Sequence, residues 1–115
     1  MKTTPAGLQL RALRAERILL LDGAMGTLIQ THSLQEADYR GQAFAAHPVD
    51  LRGCSDLLCL TQPALIGGIH RAFLEAGADL IETNTFNATP VSLEDYQLQD
   101  QVAQINRAAA QLARQ

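Results

Sequence analysis

The chain has 115 residues, 47% hydrophobic, 18% charged and 4% aromatic, and 9 basic against 12 acidic side chains leave a formal charge of −3. An apolar fraction near half suffices for a buried core, and 4 Pro and 8 Gly, scattered along the chain, exclude fibrous and low-complexity proteins. The acidic excess and eight dispersed arginines, with no basic stripe and no interleaved aromatics, argue against a nucleic-acid partner. The first apolar run, 18–21, is too short for a signal core or a membrane span, so a cytoplasmic chain with no membrane partner is expected. Cys54 and Cys59 stand in a C-x4-C spacing that fits neither a zinc knuckle nor a redox pair, and both read as reduced thiols.

Residues 6–16 place Leu8, Leu10 and Leu13 among Arg and Gln, which predicts a short amphipathic helix packed as a cover. Residues 17–22 form a continuous apolar run ended by Asp22 and Gly23, the pattern of a parallel strand buried on both faces. Gly23 and Gly26 let the backbone turn and expose amide groups before 27–30 enter a helix. No period is sustained over 33–56, which reads as a long irregular loop.

Order returns at 56–60, and Thr61 and Pro63 mark a helix start, as cap and first-turn residue. Ile66, Ile69, His70 and Phe73 then form one buried stripe, and Gly77 stops the helix. A second strand is expected over 79–86, apolar at Leu80 and Ile81 and polar beyond. A short helical piece over 93–98 leads to a last helix over 100–114 with Val102, Ile105, Ala109 and Leu112 on one face. Strand, helix, strand, helix is the alternation of an α/β fold with parallel strands and chemistry at their C-terminal ends.

Both strand ends are polar, and Asp22 is the sharpest candidate. A carboxylate beside a glycine turn suits an ammonium group, while the amides of Gly23, Ala24, Met25 and Gly26 suit a carboxylate. An amino-acid head carries both. The alternative is that Asp22 caps the next helix and the glycines only permit the turn. By the period of two, Glu82, Asn84 and Phe86 face one side and Thr83, Thr85 and Asn87 the other. Glu82 also reads as a structural ion-pair member, and Asn84 and Thr85 as backbone-satisfying groups. His70 reads as a core-edge histidine, and His32 and His47 lack a second ligand at metal spacing. No G-x-G-x-x-G and no Walker loop is present.

Five motifs, LLLDGAMGT (19–27), EADYRG (36–41), DLLCLTQP (56–63), IH (69–70) and EAGADLIETNTFNAT (75–89), together resemble the homocysteine-binding region of the cobalamin-dependent methionine synthase family. The first and last are similar to homocysteine S-methyltransferases in general; EADYRG and the DLL segment resemble the cobalamin-dependent enzymes. The resemblance implies a methyltransferase with a (β/α)8 barrel whose three cysteine thiolates hold zinc, which binds homocysteine sulfur as thiolate; methylcobalamin supplies the methyl group and is recharged by a folate domain. It places Asp22 at the substrate amino group, residues 23–26 along the amino-acid site, and Asn84, Thr85 and Asn87 at its rim.

A (β/α)8 barrel takes about 250 residues. The chain is therefore expected to be the N-terminal portion of such a barrel, with 1–115 forming the first two or so β/α units, from a split gene product or a truncated frame. Nothing in it corresponds to the family's zinc cysteines, so no catalytic and no metal residue is assigned, and this chain alone is expected to bind neither zinc nor cobalamin and to be inactive. Its expected partners are homocysteine, the remainder of the barrel, and the folate and cobalamin domains. The rival readings are a stand-alone homocysteine methyltransferase with another methyl donor, and a non-catalytic amino-acid-binding or interaction fragment completed by a partner chain.

Overall fold

The computed structural model describes residues 2–115. Helix α1 (Pro5–Glu16) begins where Thr4 Oγ1 accepts from Gly7 N at 3.1 Å and Pro5 sets the first turn. It does not serve as the expected cover: none of its residues is buried and Leu8 is 58% exposed. The cause lies in the spacing, because at 100° per residue Leu8 falls on a different side from Leu10 and Leu13, and no stripe forms. The helix leaves a groove of about 1130 Å3 between itself, residues 17–19 and Leu80. This outlying helix helps to stretch the molecule to 51 × 33 × 20 Å, with a radius of gyration of 15.9 Å against about 13 Å for a compact 100-residue domain.

The expected α/β barrel portion is not formed. The chain is 57% helical and has no β-strand, sheet or barrel among the described residues. Residues 17–22 and 79–86 meet in a single parallel bridge, Leu21 to Leu80, made by Leu80 N donating to Leu20 O (3.2 Å) and Asp22 N to Leu80 O (3.0 Å). Carboxylates intercept the next rungs on both sides: Leu20 N donates to Asp79 Oδ2 at 2.9 Å, and Glu82 N to Asp22 Oδ1 at 3.0 Å. With its ends taken by side chains and no further strand alongside, the ladder does not propagate. Ile18, Leu20 and Leu21 are consequently 86%, 56% and 56% exposed, where a two-sided strand would bury them.

The core is helical instead. Helix α4 (Leu58–Thr61), α5 (Pro63–Glu75) and α7 (Val102–Arg114) pack on one another, with Leu57, Leu58, Ile66, Ile105 and Ala109 fully buried. Ile105 and Ala109, one turn apart, carry the α7 face, flanked by the half-buried Val102 and Leu112. Helix α6 (Pro90–Glu94) adds Leu93 to this core.

Gln62, not Thr61, caps α5: the following Pro63 keeps Gln62 out of the helical region (φ −134°, ψ 55°), and the chain turns by 109° there. At the other end Gly77 takes φ +109°, and Ala78 N to Phe73 O and Gly77 N to Leu74 O close the helix. No single helix among the described residues is long and apolar enough to cross a membrane.

The segment 33–56 is largely the irregular stretch expected, with one short helix set into it and a 3-10 turn beginning at its end. Helix α3 (Glu36–Arg40) starts with Gln35 N donating to Asp38 Oδ2 at 2.8 Å, and its two end residues clasp the following turn. Glu36 accepts from Leu51 N (2.6 Å) and Arg52 N (2.8 Å). Arg40 donates to Glu36 (2.9 Å), His47 O (2.7 Å) and Val49 O (3.1 Å). EADYRG thus builds a loop held by charge-assisted hydrogen bonds, which hydrophobic periodicity does not reveal.

Candidate functional site

A cavity of about 460 Å3 lies where the turn into α2 (Met25–Thr31) meets Gly53, Ser55 and Asp56 and the segment 82–87. Asp22, Gly23, Ala24, Met25, Gly26, Asn84, Thr85 and Asn87 all line it, so the structure brings the candidate residues of both polar strand ends to one place. Thr27, Gly53, Ser55, Asp56, Thr83 and Phe86 join them, and so does Glu82.

The turn after Asp22 differs from expectation in one respect. Ala24, not a glycine, takes the left-handed conformation (φ 52°, ψ 27°) and caps α2, and no side chain accepts from the first turn. Asp22 is therefore not the cap of that helix. Its Oδ1 holds Glu82 N, which leaves Oδ2 without a partner among the described residues.

Residues 82–87 form the cavity's wall as successive turns rather than as a strand, with Thr85 N bonded to Thr83 O at 2.9 Å and Ala88 N to Thr85 O at 3.2 Å. The two-sided alternation therefore fails: Asn84 is buried while Phe86 is 96% exposed. Three anchors fix the wall. Asp22 holds its start, Asn84 Nδ2 donates to Ser55 O at 2.8 Å in its middle, and Asp56 Oδ2 accepts from Asn87 N at 2.9 Å at its end. Asn84 also lies 3.7 Å from Cys59 Sγ, so its amide is engaged inward. Thr83 and Thr85 share a hydroxyl hydrogen bond of 2.7 Å.

Asp56 went unnoticed in the sequence although it is only 4% exposed. The signal was an acid opening the apolar run DLLCL, a place where a charge is buried only if the site uses it or pairs it. Gly53 is needed in the same wall: it has φ +98°, and a Cβ there would meet Tyr96 Oη at 3.3 Å. The ion pair considered for Glu82 falls on another acid. Arg17 pairs with Asp79, and the guanidinium together with Leu20 N holds the Asp79 carboxyl down at about 2.

The residues present do not fit a zinc site. No group of three His, Cys, Asp or Glu among the described residues is placed to hold a metal ion. Cys54 and Cys59 are free and buried, and burial, reinforced by the nearby Asp56 charge, pushes both thiols up to about 11. Ligating zinc requires thiolates. His70 lies on the α5 stripe as expected, 2% exposed, with neither ring nitrogen hydrogen-bonded among the described residues. His47 Nε2 lies 2.7 Å from Tyr96 O.

The result is a polar cavity: three carboxylates, two threonines in hydroxyl contact and a turn with uncapped amides surround a space that no Lys, Arg or His among the described residues lines. A family model described as homocysteine S-methyltransferase matches residues 19–115, and the chain belongs to that family. Its class is thereby a methyltransferase one, with homocysteine as the methyl acceptor.

Proposed function

We propose that this chain supplies the amino-acid-binding pocket of a homocysteine S-methyltransferase of the methionine-synthase type. The observation that carries the reading is the convergence of Asp22, the 23–27 turn and the 82–87 wall on one cavity inside the stretch matched to the family. The free oxygen of Asp22 takes the substrate ammonium, and the uncapped amides at the start of α2 lie along the path of its carboxylate. Thr83 and Thr85 face the remainder of the substrate. The chain's own residues bind and orient homocysteine; they contain no set of thiolates to activate its sulfur. Activation of the sulfur falls to residues outside this stretch, and methylcobalamin as the methyl donor is supported by the resemblance of EADYRG and DLLCLTQP to cobalamin-dependent enzymes.

The test is titration of L-homocysteine into the 15N-labelled chain under reducing conditions. Shifts should concentrate in 22–27 and 82–87. Asp22→Asn keeps an oxygen for Glu82 N but loses the charge; a charged hydrogen bond is worth about 1.5–3 kcal/mol, so Kd should rise about 10- to 150-fold. No binding, shifts centred elsewhere, or an unchanged Kd in Asp22→Asn refutes the reading.

A further inference from the structure

The groove beside α1 has an aliphatic floor and a basic rim. Leu10, Ile18, Leu19 and Leu80 line the floor, with Ile18 86% and Leu80 37% exposed. The rim carries Lys2, Arg11, Arg14 and Arg17 against the single acid Glu16, on a chain whose formal charge is −3. Arg17 is already engaged, because both of its terminal nitrogens donate to the Asp79 carboxylate. Arg11 and Arg14, three residues apart and so neighbours on the α1 surface, form no ion pair among the described residues. The helix itself is unsupported: its 12 residues are about the length at which a helix alone is marginal in water, and none of them is buried.

We propose that this groove is a docking surface for an acidic segment of a partner polypeptide, whose aliphatic side chains cover the floor and whose carboxylates pair with Arg11 and Arg14. Charge and shape decide among the occupants. A second copy seated two-fold on the same face would set Arg11 and Arg14 against their own counterparts, and like charges across an interface repel. An anionic bilayer has the right charge, but a helix that lies in a membrane surface needs one coherent apolar face, and the leucines of α1 are split between two sides. An acidic peptide meets both demands. Covering the floor supplies the affinity, while the exposed Arg–carboxylate pairs at the rim contribute specificity and association rate. Docking also gives α1 the packed neighbour it lacks. The groove shares no residue with the cavity at 22–27 and 82–87, so the proposal stands apart from the homocysteine reading.

The experiment titrates the full 15N-labelled chain with a synthetic peptide alternating leucine and glutamate, about 8 residues long, which in extended form exceeds the roughly 18 Å of the α1 wall. A peptide of the same length alternating leucine and lysine, and vesicles of phosphatidylcholine with phosphatidylserine, are the comparisons. Saturable binding is expected, with amide shifts concentrated in 2–19 and at Leu80 and slower hydrogen exchange across 6–16. Affinity should weaken several-fold as salt rises from about 50 mM to about 500 mM. Reversing both charges, Arg11→Glu with Arg14→Glu, should weaken binding about tenfold, and Ile18→Ser about threefold. All three positions are exposed, so the fold and the 22–27 cavity should be unchanged in the variants' spectra. An acidic peptide that does not bind, a basic peptide that binds as well, shifts centred outside the groove, or an affinity untouched by the charge reversal overturns the proposal. So does self-association through 2–19 that the acidic peptide does not displace, which makes a second copy the occupant, or vesicle binding through α1 with which the peptide does not compete. None of these outcomes bears on the homocysteine reading, whose signals lie at 22–27 and 82–87.

Discussion

Replacing Glu36 by Ala should loosen the loop that carries the cavity's floor. The carboxylate accepts from Leu51 N and Arg52 N and from the Arg40 guanidinium, and Leu51 is fully buried, so its amide has no water to turn to. Each charge-assisted hydrogen bond contributes about 1.5–3 kcal/mol and an orphaned buried amide costs about 1–3 kcal/mol; the terms overlap, and Arg40 keeps its carbonyl partners, so a net loss of about 3 kcal/mol is expected. At about 4 °C per kcal/mol for a domain of this size, the melting midpoint should fall by about 12 °C. Glu36→Gln, which still offers one acceptor, should lose about half as much. Burial pushes the Glu36 pKa up, but the Arg52 and Leu51 amides and Arg40 together outweigh it, and the net shift is downward. A depressed folded-state pKa means that the contribution is complete above the ordinary carboxylate range and disappears as pH falls through the folded value. The parent–Ala gap should therefore be full at pH 7 and close in strong acid. The assay is thermal melting of parent, Glu36→Ala and Glu36→Gln at both pH values, with hydrogen exchange at Leu51 and Arg52. A midpoint within 2 °C of the parent, or a gap that stays constant into acid, refutes the clasp.

Cys54 and Cys59, with thiols raised to about 11, should react with a thiol-specific disulfide reagent at pH 8 only slowly in the folded chain and at once in urea; fast stoichiometric labelling of folded protein would contradict their burial. His70 has its pKa lowered by burial, with the Asp22 charge opposing, so the unfolded chain takes up the proton first and stability is lost as pH drops below about 6.5. His70→Leu should remove that part of the pH dependence without a large loss at pH 7.5, since neither ring nitrogen has a partner to forfeit; parallel urea midpoints for parent and variant between pH 7.5 and 5 would refute it.

The helices were legible because their signals are local. Ile66, Ile69 and His70, and Ile105 with Ala109, fall at helical spacing, and Pro63 and Gly77 punctuate α5 within a residue or two of its ends. The apolar runs at 17–22 and 79–86 carry an equally local signal for strands, but a strand exists only with a neighbour on its edge, and that is a property of the assembled structure. Asp22 and the 82–87 region stood out in the sequence because polar groups follow apolar runs there, and both line the one cavity. Asp56 was hidden in an apolar stretch, and the Glu36–Arg40 clasp acts through backbone groups that no residue pattern displays.

The same carboxylates that end the ladder make the cavity. Had Glu82 N bonded to a backbone carbonyl, pairing would continue into 82–87 and stretch that segment into an extended strand, sending alternate side chains to opposite faces. Asp22 Oδ1 takes that amide instead, the chain folds into turns from Thr83 to Thr89, and Asp56 receives Asn87 N at the far end. Both acids are thereby held by backbone groups whose positions depend on them, which fixes each carboxylate's free oxygen relative to the wall. A substitution that keeps an acceptor oxygen but removes charge separates the two duties: the wall should survive in Asp22→Asn, and the affinity for an ammonium-bearing ligand should not. A pocket built this way places its charge by the same hydrogen bonds that shape it.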